Sequence, residues 1–148
     1  MTASGRRRAR PQQDLAYADT NLFVALLAGA AHPLHERALD IFRRVAGGEL
    51  GLIVTPVVVA ELVYVARSPL GWARPLTAQR LGALLEADGI VLPERATLLR
   101  ALELFGERPK LDFADAYLAA AALEAGPQAV ASFDRDFDSV EGLRRISA

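Results

Sequence analysis

The chain has no cysteine, a single lysine (Lys110), one methionine, one tryptophan and two histidines in 148 residues. Without cysteine there are no disulfides, no thiolate nucleophile and no cysteine-based zinc site, a composition compatible with a reducing cytoplasm. His32 and His35 stand close together at an expected loop-to-helix junction, where surface or packing roles suit them better than a histidine-rich metal centre. No apolar run is long enough for a membrane span. Arginines ahead of an apolar stretch imitate a secretion signal, but Asp14, Asp19 and Asn21 cut that stretch, so export is not expected.

What is present suits one soluble domain with a sizeable core: 52% hydrophobic and 24% charged residues. The net charge of −1 hides an asymmetry. Arg6, Arg7, Arg8 and Arg10 lie in the first ten residues with no acid among them, and the remainder carries 13 basic against 18 acidic residues. Residues 1–13 lack periodicity and are expected to be a disordered arm, with RNA contact as the alternative, and residues 14–148 a single domain. A nucleic-acid binder usually displays a basic footprint, which this balance does not provide. Any polyanion would have to be met locally, and arginine does that bidentately.

The apolar periodicity predicts short strands alternating with helices. Residues 14–18 read as a short buried strand, followed by a helix over 20–28 capped by Thr20 or Asp19 and stopped by Gly29. Residues 34–46 carry an amphipathic stripe ending at Gly47-Gly48. Residues 50–54 suit a second strand. Thr55-Pro56 reads as N-cap and first helical residue of a helix reaching Arg67, although the valine run could also be a strand. A loop over 68–75 precedes a helix capped by Thr77 and reaching Ala87. Then come a strand over 90–92, a helix over 94–105 ended by Gly106, and a helix over 113–125 capped by Asp112. A strand over 129–132, a loop or helical turn over 134–138 and a last strand over 143–146 complete the chain. This order predicts an α/β three-layer sandwich, a central mostly parallel sheet flanked by helices.

Four acids stand in surroundings that should reject a charge. Asp19 ends Leu15-Ala16-Tyr17-Ala18. Glu61 interrupts a valine-rich segment expected to be a helix apolar on all faces and therefore buried. Asp115 opens an alanine-rich helix, and Asp134 follows Ala129-Val130-Ala131-Ser132-Phe133. Each has an ordinary explanation. Asp19 could cap a helix, Glu61 pair with Arg67 or Arg74, Asp115 complete a capping box begun by Asp112, and Asp134 be a turn residue. Jointly they suggest more. Asp19 and Asp134 sit past the carboxyl ends of strands, where open parallel sheets build their sites, and Asp115 lies in a helix first turn. Carboxylates meeting there would repel one another unless a hard divalent cation lay between them.

These segments resemble the PIN-domain family, specifically the VapC-type toxin ribonucleases. The matching stretches are Ala18-Asp19-Thr20-Asn21, Val59-Ala60-Glu61-Leu62, Asp112-Phe113-Ala114-Asp115-Ala116-Tyr117-Leu118-Ala119-Ala120 and Ala131-Ser132-Phe133-Asp134-Arg135-Asp136-Phe137. The resemblance spans residues 14–147; the lead-in before residue 14 has no counterpart. It implies that Asp19, Glu61, Asp115 and Asp134 hold Mg²⁺ or Mn²⁺, with Asp136 as the competing fourth acid. Thr20, Asn21 and Ser132 would be supporting polar residues. It further implies an endoribonuclease acting on RNA phosphodiesters in the cytoplasm, restrained by a cognate antitoxin and forming a homodimer. The products would carry a 5′-phosphate and a 3′-hydroxyl. Arg67, Arg74, Arg108 and Lys110 are candidates for positioning the RNA backbone.

Other readings are weaker. A dehalogenase-like phosphatase needs a second aspartate two residues after Asp19, where Asn21 stands. A receiver domain needs a lysine on a late strand, and Lys110 precedes a helix. The non-enzymatic alternative is a PIN-like module that binds RNA or protein without turnover.

Overall fold

The computed structural model describes residues 13–147, so the expected arm lies almost wholly outside the described residues. The element order is β1 (Asp14–Tyr17), α1 (Thr20–Leu27), α2 (His35–Ala46), β2 (Leu50–Ile53), α3 (Pro56–Arg67), α4 (Arg74–Glu86), β3 (Ile90–Val91), α5 (Arg95–Glu107), α6 (Phe113–Ala125), β4 (Ala129–Ala131), a 3-10 turn (Arg135–Ser139) and β5 (Arg144–Ile146). The expected α/β architecture is borne out. Every strand pairing among the described residues is parallel, and helices alternate with the strands along the chain.

The sheet is divided, however. β1, β2 and β3 form one ladder and β4 and β5 another, with no β1–β4 pairing among the described residues. Leu15 is paired with Gly51 and Tyr17 with Ile53, but the opposite edge of β1 has no strand beside it. The first strand was expected to be buried. All four of its residues are instead exposed, Tyr17 by 74%. β2, which has a neighbour on each side, buries Leu50, Gly51 and Leu52.

The core lies where helices meet. Leu62, Leu81, Leu85, Leu98, Leu102 and Leu111 are essentially inaccessible, joined by Phe23, Val54 and Val59. α1 packs on α2 and α3, and α5 packs on α4 and α6. Thr55 caps α3 by accepting the Val58 N–H, with Pro56 in the first turn, which settles the valine run as helix. α4 begins at Arg74 rather than at Thr77, because Pro75 suits the first turn; Thr77 is buried inside the helix and its hydroxyl donates to the Ala73 carbonyl at 3.0 Å. Gly106, expected to end α5, lies within it. A Cβ there would come within 2.8 Å of the Ala78 Cβ, so this glycine serves close α4–α5 packing, not termination.

Candidate active site

Asp19 follows β1 and occupies the N-cap position of α1 without making a side-chain cap hydrogen bond. Thr20, buried beside it, donates its hydroxyl to Glu61 Oε2 at 2.6 Å. This bond across 41 residues fixes the Glu61 carboxylate at the mouth of a cavity of about 460 Å³. Asp19, Thr20, Asn21, Ala60, Glu61, Tyr64 and Val65 line it. Glu61 was expected on a helix buried all round. α3 in fact buries only Val59, Leu62, Val63 and Ala66, leaving Glu61 exposed with Val57 and Tyr64. Valine-rich composition conceals this face, because valine content alone does not say which side of a helix meets the core. Glu61 forms no ion pair with Arg67 or Arg74; its hydrogen-bond partner is Thr20.

The other acids gather at the start of α6 and beyond β4. Asp112 caps α6 by accepting the Asp115 N–H at 2.8 Å. Burial pushes the Asp115 carboxyl above its ordinary range, and the neighbouring charges of Asp112, Asp134 and, more weakly, Asp136 push it further. Ser132 Oγ accepts the Asp134 N–H at 3.0 Å, and Asp134 in turn accepts the Asp136 N–H at 2.8 Å, opening the 3-10 turn. Arg145 fixes this segment from β5, donating to both oxygens of Asp138 and to the Ser132 carbonyl.

The carboxylates therefore form two groups, Asp19 with Glu61, and Asp115 with Asp112, Asp134 and Asp136. Among the described residues no three acidic or histidine side chains converge closely enough to hold a metal ion together. The division follows the break between the β1 and β4 ladders, since Asp19 continues one and Asp134 the other. The donor chemistry nevertheless suits a hard cation. All are carboxylate oxygens, and among the described residues none of the six lies in a salt bridge, whereas Asp40, Glu49, Glu124 and Asp138 each do.

The four basic candidates separate. Arg67 is exposed, with one guanidinium nitrogen donating to the Trp72 carbonyl at 2.7 Å, and Lys110 is exposed. Arg108 is half-buried, and its Nε has no partner. Arg74 does not suit RNA contact. Its guanidinium lies 3.8 Å from the Phe105 ring centroid and donates to the carbonyls of Phe105 at 3.0 Å, Arg108 at 2.9 Å, and Leu111. Burial and nearby Arg67 lower its pKa, opposed by Asp112. Arg74 thus ties the end of α5 to the loop that leads into Asp112. No local pattern marks such a long-range role, although an arginine directly before a helix-opening proline is where a side chain can reach back to neighbouring carbonyls. Tyr64 also escaped the sequence reading; its only signal is its place one helical step beyond Glu61.

The PIN domain family model matches residues 16–143 of the chain. The chain belongs to the PIN domain family. Within it the chain is of the VapC type, similar to Ribonuclease VapC7 of Mycobacterium tuberculosis, with 33% identity over 137 residues that cover 86% of this chain and 88% of that protein. No solved structure matches significantly.

Proposed function

We propose that the chain is a metal-dependent endoribonuclease, the toxin of a type II toxin–antitoxin pair. The observation that carries this reading is the set of unpaired carboxylates on the two strand ends and two helices, in a chain of VapC type. Asp19, Glu61, Asp115 and Asp134 would hold Mg²⁺ or Mn²⁺, with Asp136 as alternate to Asp134. When bound, the ion supplies positive charge that offsets the phosphodiester and makes water easier to deprotonate. Water adds to phosphorus as the bond to the 3′ oxygen breaks, the proton passing to that oxygen, which leaves a 5′-phosphate and a 3′-hydroxyl. Thr20 orients Glu61, Asp112 fixes the backbone beneath Asp115, and Ser132 fixes the backbone of Asp134. A cognate antitoxin would cover the acidic groove, and the toxin would act as a homodimer in the cytoplasm. No helix among the described residues is long and apolar enough to cross a membrane, which is compatible with that location.

The reading requires both carboxylate groups to share one metal site. Titration calorimetry with Mn²⁺ on Asp19→Asn, Asp115→Asn and the double variant tests this. Shared coordination makes each single variant lose most of the binding and the double lose little more; independent losses would defeat it. Cleavage of mixed RNA in Mg²⁺, Mn²⁺ or EDTA tests the reaction itself. The second reading, a module that binds RNA or protein without turnover, is favoured by the separation of the two groups, and absence of metal-dependent cleavage by pure protein would select it.

A further inference from the structure

Glu61, Tyr64 and Arg67 are spaced three residues apart on α3, and all three are exposed. Residues so spaced are neighbours on a helix surface, each step rising about 4.5 Å. They form a ridge running out of the Asp19–Glu61 cavity in the order carboxylate, phenol ring, guanidinium. Tyr64 is 68% exposed and lines that cavity. Among the described residues only two other aromatic side chains are exposed, Tyr17 and Phe133. Tyr17 stands on β1, all four of whose residues are exposed, and Phe133 lies just past β4. Tyr64 projects, as Val57 does two turns earlier, from a helix whose apolar contacts are already made by Val59, Leu62, Val63 and Ala66.

Arg67 is prepared in a complementary way. One of its nitrogens is anchored on the Trp72 carbonyl, and among the described residues it makes no salt bridge. Arg80 lies over the Trp72 ring at 4.8 Å, placing a second cation nearby. A basic peptide would suit the Glu61 end of this ridge and be repelled at the Arg67 end; an acidic peptide would meet the reverse. Single-stranded RNA suits both, since its phosphates meet arginine bidentately, its bases have π faces, and cations bridge it to carboxylates.

We propose that Tyr64 is the stacking platform for a nucleobase flanking the scissile phosphodiester of single-stranded RNA, with Arg67 holding the next phosphate outward. The inference deepens the nuclease reading and rests on it for the position of the scissile bond. It restricts the substrate to unpaired RNA, because a base held inside a duplex cannot offer its face to Tyr64. It makes that subsite tolerant of base identity, because every base has a π face.

The test is equilibrium binding of a short fluorescein-labelled single-stranded RNA in Ca²⁺, with an abasic nucleotide moved one position at a time along the oligomer. Wild type is expected to lose about tenfold in affinity at one position. Tyr64→Ala is expected to lose about as much with intact RNA and nothing further at that position. Tyr64→Phe and Tyr64→Trp should retain binding, and Arg67→Ala should reduce the salt dependence by about one phosphate contact. Undiminished binding by Tyr64→Ala, or abasic and Tyr64→Ala losses that simply add, would overturn the proposal. Should Tyr64→Ala not fold, the abasic scan of wild type and the two aromatic variants decides, and a scan with no sensitive position overturns it. Cleavage of the same oligomer by wild type and by Tyr64→Ala in Mg²⁺ separates the two ideas. Tyr64-dependent binding without cleavage keeps the platform and removes the reaction; cleavage indifferent to Tyr64 keeps the reaction and removes the platform. RNA binding indifferent to Tyr64, with loss of a co-purifying protein from Tyr64→Ala, assigns the ridge to that protein and also overturns the proposal.

Discussion

The two carboxylate groups are built by different means. At the first, Asp19 and Glu61 come from elements far apart in sequence, and the buried hydroxyl of Thr20, the residue after Asp19, donates one short hydrogen bond to Glu61. At the second, one capping bond sets Asp112 beside Asp115 and another sets Asp134 beside Asp136, and the charges of Asp112, Asp134 and Asp136 all act on Asp115. The first group is oriented by a donor, and the second is held together against its own charge by backbone geometry. Such a difference suits a site in which one part aims a ligand and the other concentrates negative potential.

The largest effect expected from breaking either part is on catalysis. Asp19→Asn or Asp115→Asn should leave the fold intact and lower metal-dependent RNA cleavage by at least about 100-fold, since loss of a ligand removes several kcal/mol of transition-state stabilisation. Unchanged cleavage rates in either variant would defeat the assignment. Arg74→Ala should act on the second group through stability, removing the guanidinium donor from the Phe105 and Leu111 carbonyls and leaving the Arg108 carbonyl only the Leu111 N–H, and cost about 2–3 kcal/mol by urea denaturation. Thr20→Val should act only on the first group. Stability should change by less than about 1 kcal/mol while Mn²⁺ affinity falls about tenfold, as calorimetry would read it.

The smallest effect is a pH dependence confined to the second group. The folded-state pKa of Asp115 is raised, so in the window above its unfolded value the folded protein holds the proton more tightly. Stability therefore falls as pH rises through that window, and the charged form weighs against folding above it. In EDTA, Asp115→Asn should match wild type below the carboxylate range and become the more stable of the two toward neutral pH. Thermal denaturation across that range would check it, and a wild type that gains relative stability with rising pH would contradict it.

Much of this was legible in the sequence. Thr55-Pro56 and Asp112 announced their helices because capping is local chemistry, carried by side chains within three residues of the group they satisfy. The acids stood out because a charge in an apolar run needs a reason. What escaped was long-range. Nothing in residues 14–18 indicates that β1 lacks a neighbour on one side, so an apolar strand read as buried. Thr77 looked like a cap because threonine caps so many helices, while Pro75 two residues earlier set the true start. The two-group arrangement of the acids depends on which strands pair, and the pattern of a strand says little about its partner.

The fit at Gly106 reaches further than its size suggests. A single added methyl would press on Ala78, with the backbone of Pro75 and Arg74 just behind it. The first turn of α4 would have to tilt away from α5, and the guanidinium gripping the approach to Asp112 would tilt with it. A hydrogen atom in a helix-to-helix seam thereby bears on the loop that leads into Asp112.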